Sequence, residues 1–147
     1  RRMIWNLNDE SGGTGWGMPE AMGESMARHA GLAGEYARIL ISFIREDGNF
    51  LDHEPLQNGV LWGLGRLAQR RPELVEEAVP HLNRYLVSND KVQRGLAAWI
   101  IGLIGAGEIV SNLEKLVEDN SEIALWLDGS EGIYRVGELA KQALGQI

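Results

Sequence analysis

Apolar positions along much of this chain recur with the spacing of helices. Between Tyr36 and Ile44, the residues Tyr36, Ile39, Leu40, Phe43 and Ile44 follow the i, i+3, i+4, i+7, i+8 rule. Glu35, Arg38, Ser42 and Arg45 fall on the opposite side, so the segment reads as an amphipathic helix with Gly48 placed to end it. The same rule between Leu56 and Ala68 selects Leu56, Val60, Leu64, Leu67 and Ala68 as a buried stripe. Asp52 suits the cap of this second helix, Pro55 its first turn, and Pro72 its stop. The pattern changes after Ser121. Ile123-Ala-Leu-Trp-Leu127 and Ile133-Tyr-Arg135 flank the turn pair Asp128-Gly129, which predicts two short strands in a β-hairpin before the last helix. Asn6 to Gly17 is glycine-rich and polar, and predicts a loop between a short helix ending near Trp5 and another starting at Pro19.

Two helical blocks repeat in order. Trp62-Gly-Leu-Gly65 recurs as Trp99-Ile-Ile-Gly102, and His81-Leu82 with Tyr85-Leu86 recurs as Asn112-Leu113 with Leu116-Val117. The copies differ by a longer connection in the earlier one, around Gln69 to Glu76. Upstream, Leu40, Phe43 and Ile44 match Leu82, Tyr85 and Leu86; downstream, Leu96-Ala97 and Ile101-Gly102 match Leu139-Ala140 and Leu144-Gly145. A helix pair recurring at roughly 30 to 45 residues is the signature of a solenoid. The segments Gln93-Arg94-Gly-Leu-Ala-Ala-Trp-Ile-Ile-Gly102 and Leu113-Glu-Lys-Leu116-Val-Glu-Asp119 come nearest to a helix pair patterned R-x-x-A-x-x-x-G and L-x-x-L-x-D, each with one residue more. In these the chain resembles the HEAT-like repeats of the phycobilin-lyase type, over about Met18 to Ile147. It also resembles bacterial HEAT-repeat proteins to which no activity is assigned, through the segment from Trp5 to Glu24. The fold this implies is all-α: an α-α superhelix, a HEAT-like solenoid of about four helix pairs, with a small β-hairpin near the C-terminus. Residues 1–147 then form a single repeat domain.

Composition narrows the functional classes. Glycine, at 19 of 147 residues, is nearly twice the usual ~7 %, and close helix–helix approach at the repeated glycines accounts for part of it. Cysteine is absent, which excludes disulfides, thiol chemistry and cysteine-ligated zinc, and favours a cytoplasmic setting. With 21 acidic against 14 basic side chains the net charge is −7, so nucleic acid is a poor partner. No apolar run is long enough for a membrane span, so no membrane role is expected. No signal-peptide pattern occurs, and a start at Arg1 rather than methionine leaves any preceding leader open.

Candidate chemistry is sparse. Asp9, Glu10, Glu20 and Glu24 gather four carboxylates near one loop, with Glu20 and Glu24 on one helical face, an oxygen-rich set of the kind that holds Mg²⁺ or Ca²⁺. Their spacing matches no calcium loop, and turn capping and the helix dipole explain them more simply. His53-Glu54 opens a helix, and His29, His53 and His81 make no H-x-x-x-H or H-E-x-x-H pair. His53 is the residue suited to acid–base work if there is any. The serines lack a nucleophile context, and Gly12 to Gly17 lacks the G-K-[ST] ending of a phosphate loop. Trp62 and Trp99 fit an inter-repeat core. Trp5, Trp16 and Trp126 lie in or beside non-repeat segments, where a ring either pins the loop or anchors a partner. Asn112 to Glu131 holds six acids against Lys115, a solvated face that would also attract a basic partner.

The reading is a HEAT-like scaffold or adaptor that binds a protein and catalyses nothing, with no cofactor and no metal. Arg38, Ser42, Arg45, His81, Arg84, Asn112 and Lys115 are its outward residues, and Arg38 and Arg84 the principal binding cations. A homodimer through apolar stack ends stays open. The alternative is a small-ligand or metal-binding accessory protein using the Asn8–Glu24 loop, with Trp16, Glu20, Glu24 and His53 lining the site. The lyase resemblance implies tetrapyrrole handling for that alternative.

Overall fold

The computed structural model describes residues 28–45, 54–105, 110–127 and 130–146. Gly48, Asp52, the loop from Asn6 to Gly17, the helix expected from Pro19 and the Asp128-Gly129 pair itself lie outside them. The chain divides into two compact units, Arg1–Ala78 and Val79–Ile147.

The first unit contains helices α1 (Ala30–Ser42) and α2 (Glu54–Arg70), followed by short 3-10 turns at Pro72–Leu74 and Glu76–Ala78. α1 starts after an extended His29 and begins six residues before the expected Tyr36. Its buried face is Ala33, Ala37, Leu40, Ile41 and Ile44 with Phe43, while Ile39 is half-buried. Leu40, Phe43 and Ile44 are thus buried as expected, Ala33, Ala37 and Ile41 complete the face, and the Tyr36 side chain lies outside those described. The helix also ends earlier than Gly48 implied. Its last amides tighten to i→i−3 bonds, Phe43 N–H to the Leu40 carbonyl and Ile44 N–H to the Ile41 carbonyl, and the Ser42 hydroxyl donates to the Ile39 carbonyl at 2.6 Å. In α2 all five expected residues are buried, with Leu61 beside them. Trp62 is half-buried, a correction to its expected place in the core, whereas Trp99 is buried. Pro72 sits at the first position of a 3-10 turn two residues after α2 ends. The long connection is compact: Val75 and Ala78 are fully buried, and the first 3-10 turn packs against both α1 and α2.

The second unit contains α3 (Val79–Leu86), α4 (Lys91–Ile104), α5 (Val110–Leu116), β1 (Glu122–Leu127), β2 (Ser130–Arg135) and α6 (Val136–Gly145). α4 is its centre, buried almost continuously from Gln93 to Ile101 and packed against α3, α6 and β1. Sequence explains both of its ends. The Asp90 carboxylate accepts the Val92 N–H at 2.9 Å as an N-cap, and Gly105 adopts φ 77° so that its N–H returns to the Ile101 carbonyl at 2.8 Å. α6 lies along α4 with Ala143 against Gly102, where a Cβ on the glycine would stand 2.9 Å from the Ala143 Cα. Gly102 is thus a close-approach position, as expected, whereas at Gly145, its counterpart in the repeat, an added Cβ would meet nothing within 4 Å.

The hairpin is antiparallel, in register from Glu122 opposite Arg135 to Leu127 opposite Ser130. Ile123 and Leu125 face inward and are buried; Ala124 and Trp126 alternate outward. The described residues are mostly helical with one small hairpin near the C-terminus, the class the patterning implied.

Candidate interaction surfaces

A polar constellation joins the start of α4 to the turn after α5. Arg94 donates from Nε to Asp119 Oδ2 at 2.9 Å, from one terminal nitrogen to the Ser88 carbonyl at 2.9 Å, and from the other to Ser121 Oγ at 3.3 Å. Asp119 Oδ1 accepts the Ser121 N–H at 2.9 Å. Burial pushes the Asp119 carboxyl up, but the Ser121 N–H, the Ser121 hydroxyl and the Arg94 guanidinium together hold it below the ordinary carboxylate value. Both side chains are largely buried, at 18 % and 16 % exposure. Arg94 and Asp119 thus tie the start of α4 to the turn after α5. Beside them the Ser88 hydroxyl donates to the buried Gln93 amide oxygen at 2.7 Å and accepts the Asp90 N–H.

The outward residues fare differently from one another. Arg38, in the first unit, is exposed and pairs with Glu77 at 3.2 Å, a surface ion pair of small energetic weight. Ser42 and Arg45 are half-buried, and the Ser42 hydroxyl is committed to its own helix. In the second unit Lys115 is exposed, and His81, Arg84 and Asn112 are half-buried. Arg84 lies 4.5 Å over the Tyr85 ring and donates to its hydroxyl at 2.9 Å, so its guanidinium is held flat against an aromatic neighbour. Asn112 donates to Asn83 Oδ1 at 2.6 Å, linking α5 to α3. Asn83 is a residue whose role periodicity alone does not reveal.

Trp16, Glu20, Glu24 and His53, together with Asp9 and Glu10, lie outside the described residues. Among the described residues no group of three or more His, Asp or Glu side chains is placed to hold a metal ion, and no helix is long and apolar enough to cross a membrane. Among the described residues the large exposed apolar side chains are Trp126, Ile133 and Val87. The sequence had already singled out Trp126; Ile133 follows from strand alternation once the register is known.

Against this geometry, residues 54–104, running from α2 through α3 to α4, match the HEAT-like repeat family. The match covers the helix that carries Arg94 and the earlier W-x-x-G helix, and so supports a HEAT-repeat protein. No curated protein matches the chain.

Proposed function

We propose that this chain is a HEAT-like repeat scaffold, one repeat domain over residues 1–147, that binds a protein partner in the cytoplasm without catalysis or cofactor. The observation that carries the reading is the HEAT-like match over residues 54–104, since helical repeats of this kind offer extended surfaces for partners. Outward cations on helices whose other faces are buried, Arg38 on α1 and Arg84 on α3, are the proposed contact residues. Arg84 is suited to this because its guanidinium is already ordered on Tyr85, which lowers the entropy lost on binding.

The test is affinity capture from source lysate, with bound species identified by mass spectrometry. A protein retained through salt washing and lost on Arg38→Glu with Arg84→Glu is the expected result. Retention of a tetrapyrrole, a small molecule or a metal instead, lost on Glu20→Gln with His53→Ala, would transfer the function to the Asn8–Glu24 loop with Trp16 and Glu24. A self-association constant measured by sedimentation decides the homodimer.

A further inference from the structure

We draw no further inference here: the strongest candidate, the exposed apolar patch of Trp126 and Ile133 on the outward face of the β1–β2 hairpin, carries nothing, because nothing in the structure shows what covers it.

Discussion

Arg94 reaches three acceptors with one planar side chain, and two of them belong to the turn that ends at Ser121. Its partner Asp119 has a lowered pKa, so it binds its proton less readily folded than unfolded. Stability from this group is full above the ordinary carboxylate pKa of about 3.9 and is lost as pH falls through the lower native value. Asp119→Asn should therefore cost about 1–3 kcal/mol near neutrality. In urea denaturation at a series of pH values, the gap to the parent should stay constant down to about pH 5 and close below about pH 4. A gap that is unchanged at low pH would mean that the ion pair is not its source. At the same scale, Asp90→Ala removes the α4 cap and should cost about 1 kcal/mol, measured in the same assay.

At the level of elements, Gly102 decides how near α4 and α6 come. Alanine there gains up to about 1 kcal/mol of helix propensity, but its Cβ meets the Ala143 backbone, which cannot swing aside as a flexible side chain can. Gly102→Ala should be net destabilising by about 1–3 kcal/mol in denaturant titration, and a neutral result would show that the two helices shift freely. This contact was legible from the recurring glycine, although the matching Gly145 has open space around its Cβ position, so recurrence marks close approach at one copy and not at the other. The hairpin was legible too, since strand alternation on both sides of Asp128-Gly129 has a period of two. The N-terminal half of the α1 face was not. Alanines count weakly in a hydrophobic pattern, yet Ala33 and Ala37 are buried there. The 3-10 turns after α2 were equally hidden, since Pro72 reads as a stop whether the chain afterwards coils or turns tightly.

For the whole molecule, the sequence supports a functional class better than a site. Helical periodicity is set by burial and leaves its mark on every turn, whereas a partner surface needs only exposure and charge, which Arg38, Arg84 and Trp126 share with ordinary surface residues. Arg84 is the instructive case. Its place on an outward stripe was visible, but its stacking on Tyr85 depends on a side-chain conformation that no spacing encodes. The net charge of −7 makes a prediction at this scale: duplex DNA at physiological salt should give no gel-shift, and a shift would point to a local basic surface overriding the average.

The reach of Arg94 also bears on how this region opens. By holding the Ser88 carbonyl at one end and Asp119 and Ser121 at the other, it ties the intervening chain into a non-covalent ring around α4 and α5. Val136 N–H to the Ser121 carbonyl and Gly137 N–H to the Asp119 carbonyl fasten α6 to the same knot. Local fraying of one strand or helix end therefore does not release these amides one by one. Their exchange with solvent deuterium should proceed at a common rate set by a single opening, and one arginine determines how often that opening occurs.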